Sequence, residues 1–140
     1  MMAYGEDVKT ALNLKALTDS QQFDDALNIA PYIGGKAHTG NALSKIKTGL
    51  FAISGRQDAP RALILLSSGG SADDVVAPAL ELRDSGVKVT AIGLGKQANV
   101  RELITVASEP KSEHVFTAFL DTLPNAMDEI IQGVCRGKIK

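Results

Sequence analysis

The chain has 140 residues with 15 basic and 16 acidic side chains, and its formal net charge is −1. This length is typical of one domain, and the balanced charge argues against a nucleic-acid-binding or polybasic membrane surface. No run approaches the roughly 20 apolar residues of a membrane span, and we expect no leader peptide at the start of this sequence. With no Trp and 4 Phe, stacking platforms for bases or sugars are not expected either.

The first thirty residues predict a strand followed by a short helix. Residues 8–14 alternate apolar and polar side chains, which is the period of a half-exposed strand. Asp19 or Ser20 can cap a helix that Pro31 stops.

A longer helix is predicted after a turn at Gly34 and Gly35. Thr39 is expected to cap it and Gly55 to end it. Its apolar side chains recur at helical spacing, so one face is expected to be buried. The members of that face are Leu43, Ile46, Leu50 and Ile53.

Two continuous apolar runs, residues 61–66 and 87–92, predict strands that are buried on both faces. The helix between them is expected to be capped by Ser71, with Asp73 and Asp74 in its first turn as partners of the helix dipole. Pro78 complicates this prediction, because a proline past the first turn removes a hydrogen bond. The helix therefore either kinks at Pro78 or begins later than Ser71.

The last third of the chain predicts a helix, a strand and a helix. Asn99 can cap the first helix, residues 114–116 form the short strand, and residues 123–134 form the last helix. The expected inward face of the last helix consists of Met127, Ile130, Ile131 and Val134. Strands that alternate with helices predict an α/β fold: a Rossmann-like, doubly wound, mainly parallel sheet with helices on both faces.

The stretch LILLSSGGSADD, residues 63–74, is the first candidate site. It places a loop of small residues at the carboxyl end of a predicted parallel strand, where ligands bind in open α/β sheets. The loop is either a cradle for an anion or a site that has lost its acid. His38 lies in a loop facing the same edge, whereas His114 opens the short strand and is expected to be structural. The single cysteine, Cys135, is either a free thiol or a bridge partner for a cysteine elsewhere.

Several motifs in the same order resemble the von Willebrand factor type A domain family, in the form found in matrix and collagen-type proteins. The resemblance runs over nearly the whole chain, and each motif is weak by itself. The motifs are YIGGKAHTGNAL at 32–43, LILLSSGGSADD at 63–74, ELRDSGV at 81–87, AIGLG at 91–95, residues 107–116 and Leu123-Pro124.

The resemblance implies a metal-ion-dependent adhesion site, but this sequence departs from its pattern in all three loops. No Asp-x-Ser-x-Ser motif occurs in the chain, Ala37 stands where the second loop has threonine, and Ser68 stands where the third loop has aspartate. A neutral hydroxyl replaces a carboxylate poorly as a ligand of Mg²⁺. We therefore expect a degenerate site, no metal and no cofactor.

The resemblance also implies that the domain, taken as residues 1–140, is incomplete. Tyr4 and Gly5 resemble the end of the family's second strand, so the first strand and first helix have no counterpart here. We expect the chain either to be part of a longer protein or to close its sheet differently, including by oligomerising through open edges. In secreted members a cysteine after the last helix can pair with one before the first strand, which would leave Cys135 without its partner.

The function that the resemblance implies is a secreted, non-catalytic interaction or adhesion domain that binds protein, with collagen or another matrix component as a possible partner. A contrasting hypothesis is that the domain only mediates assembly within a larger matrix protein. An alternative from the residues is a nucleotide- or phosphate-binding module that uses residues 67–71, with Gly93, Gly95 and Lys96 in support, although neither phosphate-loop spacing is complete. The candidate partner-binding residues lie at the carboxyl ends of the strands: Lys36, His38, Thr39, Ser67, Ser68, Ser71, Asp73 and Lys96.

Overall fold

The computed structural model describes residues 1–14, 19–54, 56 and 58–135. The chain begins with an antiparallel hairpin of β1 (Met2–Tyr4) and β2 (Val8–Thr10), with Ala3 opposite Lys9. The predicted strand over residues 8–14 is therefore too long. It ends early because the N–H groups of residues 11 and 12 both turn to the carbonyl of Met1.

Helix α1 (Ser20–Asn28) begins where the sequence predicted. The side chain of Asp19 accepts a hydrogen bond from the Gln22 N–H at 2.9 Å, so Asp19 is the N-cap. Most of the helix surface is exposed, and Ala26 is its one buried residue. The apolar side chains of Phe23 and Leu27 remain in contact with solvent.

The predicted long helix is three consecutive segments: α2 (Thr39–Lys45), a π-helical turn (Ile46–Phe51) and α3 (Ala52–Ser54). Leu43, Ile46 and Leu50 are buried as expected, but Ile53 is exposed because it lies past the π-helical turn, which shifts the helical register. The predicted end at Gly55 lies outside the described residues.

The main sheet contains β3 (Arg61–Ser67), β4 (Val87–Leu94) and β5 (Val115–Ala118), all parallel, in the order β3-β4-β5. The central strand β4 has an unbroken run of buried residues, as its apolar sequence predicted. The prediction that β3 is buried on both faces is wrong. Ile64 is 47 % exposed and Leu66 is 49 % exposed, because β3 lies at the edge of the sheet that the described strands form.

Four further helices in the described part of the chain contact β4: α4 (Val76–Asp84), α5 (Val100–Val106), α6 (Lys111–His114) and α7 (Leu123–Cys135). Helix α4 begins at Val76 and not at Ser71. Pro78 therefore falls in its first turn, where a missing N–H removes no helical hydrogen bond. The Asn99 side chain caps α5 as predicted by accepting from the Glu102 N–H at 3.3 Å.

Helix α7 buries fewer residues than predicted. Ile130 is fully buried, but Met127 and Ile131 are exposed. The contact that orients the helix is made at Gly133, where an added Cβ would lie 2.3 Å from the Glu113 carbonyl oxygen. Because α7 contacts the backbone of Glu113 at Gly133, the apolar side chains on either side of this contact remain exposed to solvent. The thiol of Cys135, at the end of the helix, is exposed.

His114 ends α6 and does not open a strand, and its side chain is 0 % exposed. Its Nδ1 lies 3.1 Å from the Thr90 hydroxyl, and its Nε2 has no partner within the described part of the chain. Burial lowers the pKa of His114 below its usual value, and the nearby Lys88 lowers it further. The structural role that the sequence suggested for this histidine agrees with its position. No helix among the described residues is long and apolar enough to cross a membrane.

Candidate functional site

Two segments meet beyond the carboxyl end of β3, and Ser71 joins them. Its hydroxyl accepts a hydrogen bond from the Thr39 N–H at 2.9 Å and donates to the Asp73 carboxylate at 2.5 Å. The Ala72 N–H donates to the Ala37 carbonyl at 2.7 Å. The loop after β3 is therefore fastened to the loop before α2. We call this group, residues 36–41 and 67–74, the loop cluster.

Asp73 caps a helix that is distant in sequence. Its two carboxylate oxygens accept from the N–H groups of Gly40 at 2.9 Å and Asn41 at 2.7 Å, both in the first turn of α2. Partial burial raises the pKa of Asp73, but the hydrogen bonds from the Ser71 hydroxyl and the two amides outweigh it and hold the pKa below its usual value. The predicted cap, Thr39, is instead the first residue of α2, and its buried Oγ1 has no partner within the described segments.

The two adjacent aspartates serve different helices. Asp74 accepts from the N–H groups of Val76 at 3.1 Å and Ala77 at 3.3 Å, which places its carboxylate at the amino end of α4. The expectation that Asp74 complements the dipole of the following helix agrees with this position, whereas the same expectation for Asp73 is wrong. Asp73 turns to α2 because the chain between residues 71 and 74 passes directly over the start of that helix.

Gly40 makes this close passage possible. A Cβ at this position would lie 1.9 Å from the Asp74 carbonyl oxygen, which is far inside van der Waals contact. Gly69, in the same cluster, has no atom within 4 Å of the position of an added Cβ. Only one of the two glycines is therefore required by packing.

The remaining candidates line the same end of the sheet. The Ser67 hydroxyl donates to the Gly69 carbonyl at 2.9 Å, and Ser68 is exposed. The Nδ1 of half-buried His38 is 3.2 Å from the Glu6 carbonyl oxygen, so this histidine packs against the hairpin. Lys36 and Lys96 are exposed on flanking loops.

Sequence reasoning did not identify Glu102 as part of this group. Its carboxylate accepts from the Ser71 N–H at 2.7 Å. Glu102 lies in the first turn of α5, three residues after the Asn99 cap, a position where acidic residues are favoured by the helix dipole. That spacing could have marked it as a first-turn residue, but not as a partner of Ser71.

The side chains of the loop cluster do not fit a divalent cation. Both oxygens of Asp73 are engaged by N–H groups, Ala37 has no side-chain oxygen, and Ser68 offers only a neutral hydroxyl. Among the described residues, no group of three or more His, Cys, Asp or Glu side chains could hold a metal ion. The ligands that Mg²⁺ prefers, carboxylate oxygens in near-octahedral geometry, are not presented together here.

The described residues form an α/β domain, in which helices flank a parallel sheet. The loops at the carboxyl ends of the strands form one exposed face of this domain. The sequence profile of the von Willebrand factor type A domain matches residues 1–128. The chain belongs to this family.

Relatives with similar sequences include matrix proteins. The chain is 30% identical to von Willebrand factor A domain-containing protein 2 of Mus musculus, over 97% of the chain and 17% of that protein. It is 33% identical to the collagen alpha-1(XII) chain of Notophthalmus viridescens, over 94% of the chain and 14% of that protein. It is 34% identical to von Willebrand factor A domain-containing protein 1 of Mus musculus, over 96% of the chain. The chain spans at most 32% of the length of these three relatives.

Solved structures show the same fold. Proximal thread matrix protein 1 from the mussel byssus superposes with a TM-score of 0.87 at 24% identity, over 96% of the chain and 35% of that protein. A second structure of that protein, described as having a zinc-occupied MIDAS motif, gives a TM-score of 0.88 at 25% identity, over 96% of the chain and 35% of that protein. The zinc is a property of the mussel protein.

Proposed function

We propose that the chain is a non-catalytic protein–protein interaction domain of an extracellular-matrix-type protein, and that it binds its partner without a metal ion. Collagen chains are among its relatives, which supports a protein partner of the matrix type and a secreted location. In the loop cluster the Ser71 hydroxyl donates to the Asp73 carboxylate, and the described hydrogen bond of the His38 ring is made with the Glu6 carbonyl. His38 is therefore not placed as a base for Ser71, which supports a binding role over a catalytic one.

The observation that carries the metal-independent mechanism is the use made of Asp73. Its carboxylate is the acidic group of the loop cluster that lies nearest to Ser71, and it is already bonded to two backbone amides and one hydroxyl. A carboxylate in this state stabilises the loops and does not extend toward a ligand. The exposed groups that remain for a partner are the ammonium groups of Lys36 and Lys96 and the hydroxyl of Ser68. They suit an acidic or polar protein surface.

The contacts of residues 67–71 argue against the alternative of phosphate binding by this loop. Helix α4 begins at Val76, so this loop is not at a helix N-terminus, and Asp74 already occupies the amides at the start of α4. The Ser71 N–H, which would face an anion, donates to the Glu102 carboxylate. The negative charge of the Glu102 carboxylate, which lies beside the loop, would also repel phosphate.

The test is binding of the 140-residue chain to immobilised fibrillar collagen, in buffer with EDTA and in buffer with Mg²⁺. We expect saturable binding that is equal in the two buffers. A double variant, Lys36→Ala with Lys96→Ala, should weaken binding several-fold, because exposed charges contribute about 0.2–1 kcal/mol per pair. Lys88→Ala is the control, since Lys88 lies at the amino end of β4, at the opposite end of the strands from the loop cluster.

Binding that requires Mg²⁺, or a melting temperature that rises on addition of Mn²⁺, would contradict the metal-independent mechanism. A folded chain that ignores collagen in both buffers would support the contrasting hypothesis, in which the domain only mediates assembly within a larger protein. Equal effects of Lys88→Ala and of the double variant would show that the loop face is not the binding surface.

A further inference from the structure

A small pocket lies where α6, β5 and α7 meet. Its volume is about 90 Å³, roughly the space of three water molecules, which suits one side-chain head group and not a larger ligand. Because α6 leads into the amino end of β5, the pocket lies away from the loop cluster, which is at the carboxyl ends of the strands. The residues that line it are Ser112, Glu113, Phe116, Glu129, Gln132 and Gly133.

The pocket exists because residue 133 has no side chain. Gly133 is buried, and a Cβ at this position would lie 2.3 Å from the Glu113 carbonyl oxygen. The same Cβ would lie 3.7 Å from Cζ of the Phe116 ring. The backbone of α7 therefore approaches α6 closely, and the ring of half-buried Phe116 borders the space that a side chain at Gly133 would fill. An aromatic ring thus forms one wall of the pocket.

The charged groups that line the pocket are carboxylates. Glu113 belongs to α6 and Glu129 to α7, and no basic side chain of the described residues lines the pocket. Lys111, which lies nearby in sequence, is directed elsewhere. Its ammonium group lies 3.3 Å from the Glu109 carboxylate and donates to the Ala107 carbonyl oxygen. Two carboxylates beside an aromatic ring favour a cation as the ligand.

The lining favours an organic cation over a metal ion. Mg²⁺ and Ca²⁺ take about six or more oxygen ligands, whereas one wall of this pocket is a hydrocarbon ring. A guanidinium group fits better, because it is planar, stacks on an aromatic ring and has several N–H donors that can reach carboxylates on two helices at once. The Ser112 hydroxyl and the Gln132 amide oxygen can accept further hydrogen bonds. A lysine ammonium is compact and strongly hydrated, and it gains less from the ring.

We propose that this pocket binds an arginine side chain of a partner protein. The guanidinium group stacks on the Phe116 ring and donates hydrogen bonds to the carboxylates of Glu113 and Glu129. Charge complementarity selects the partner: the exposed lysines of the loop cluster suit an acidic surface, whereas this pocket suits a basic one. The pocket is therefore a second protein-binding surface, which goes beyond the proposed function of the loop face and does not depend on it.

The probe is the peptide acetyl-Gly-Arg-Gly-amide, titrated into the ¹⁵N-labelled 140-residue chain and followed by NMR. We expect saturable shifts of the Gly133 and Gln132 amide signals, with a Kd below about 10 mM. The matched peptide with citrulline in place of arginine has the same shape but no charge, and should bind at least about tenfold more weakly. The lysine peptide should bind several-fold more weakly than the arginine peptide.

Glu129→Gln tests the chain's side of the contact. It removes one carboxylate from the pocket and should weaken binding of the arginine peptide at least about threefold. Asp128→Asn is the matched control, because it removes the same charge from the neighbouring exposed position of α7, and Asp128 does not line the pocket. Phe116→Leu should reduce the preference for arginine over lysine, which removal of a charge would not do. Glu129→Gln should leave collagen binding through Lys36 and Lys96 unchanged, so failure of this proposal and failure of the loop-face function are separately visible.

Equal binding of the arginine and citrulline peptides, or no saturable shift at Gly133, would overturn the proposal, and this comparison needs no variant of the chain. Equal losses in Glu129→Gln and Asp128→Asn would mean that net charge, and not the pocket, attracts the peptide. Tighter binding of the peptide to Arg136→Gln would show that an arginine of this chain competes for the pocket, which would contradict the assignment to a partner.

Discussion

The segment from α2 to α7 and the segment that precedes it are built differently, although one chain forms both. From Thr39 onward, helices and strands bury one another, and Leu82, Val89 and Val106 are inaccessible to solvent. Before Thr39, the hairpin and α1 contribute only Val8 and Ala26 to the buried apolar residues. The hairpin is attached by backbone hydrogen bonds, such as that from the His38 N–H to the Gly5 carbonyl at 3.0 Å, and by the half-buried side chains of Met2 and Tyr4, which pack against the core.

The difference follows from where a parallel sheet can bury its strands. β4 is central and pairs on both sides, so helices on each face seal it. Among the described strands the two strands of the hairpin pair only with each other, and most of the surface of α1 is exposed. We therefore expect stability to be concentrated in the elements from α2 to α7 and local opening to begin in the hairpin and in α1.

The largest expected effect comes from truncating a core side chain in the segment from α2 to α7. Leu82→Ala removes a fully buried side chain from α4 and should lower the free energy of unfolding by about 2–5 kcal/mol. Leu27→Ala is the matched change on α1, where the side chain is 52 % exposed, and should cost at most about 0.5 kcal/mol. Urea unfolding of both variants measures the two values. Equal losses would mean that α1 is as firmly packed as α4.

A smaller effect is expected where α2 meets the loop after β3. Gly40→Ala forces a Cβ against the Asp74 carbonyl and should cost about 1–3 kcal/mol. Gly69→Ala, in the same loop cluster but with open space around it, should change stability by at most about 0.5 kcal/mol. Thermal melts of the pair decide the point. A Gly40→Ala variant as stable as Gly69→Ala would contradict the close passage of residues 71–74 over α2.

The smallest expected effect is a pH dependence of the free energy of unfolding, which arises from a residue in the segment from α2 to α7. His114 is buried neutral, and its pKa in the folded state is lowered from about 6.5. Stability is therefore fully present above that value and should decline as the pH falls below it toward the folded-state pKa, because the unfolded chain binds the proton more readily. Urea unfolding between pH 7 and about pH 5, above the range where carboxylates titrate, measures the slope.

His114→Gln is the control for this slope. The variant should lose stability at every pH but should show a flatter dependence over this range. If wild type and variant have the same slope, another group is responsible for the acid sensitivity.

Local signals in the sequence were enough to predict much of the structure from α2 to α7. The continuous apolar run of β4 predicted its burial. The Asn99 cap was correct, as was Asp19, one of the two candidate caps of α1, because a cap and its amides lie within three residues. Local signals of this kind showed strands and helices alternating along the chain, which was enough to predict an α/β fold with a parallel sheet. The exposure of Ile64 could not be predicted, because it depends on β3 being an edge strand and not on the residues of β3.

The sequence identified several residues of the loop cluster but not the hydrogen bonds that they form. Ser71 and Asp73 were named as parts of the site, but their roles were assigned to the following helix. Their actual partners, the amides of Thr39, Gly40 and Asn41, precede them by more than thirty residues, and no periodicity carries that information. Glu102 was missed for the same reason, since it meets Ser71 only after α5 has packed against β4.

The remote cap on α2 also has a consequence for the order in which the chain folds. An isolated helix of seven residues is too short to persist in water, and α2 receives its capping carboxylate from Asp73, 33 residues beyond Gly40. The amino end of α2 can therefore become stable only after β3 has formed and its loop has closed. We expect probes at Gly40 to acquire native structure late in refolding, after probes in β4.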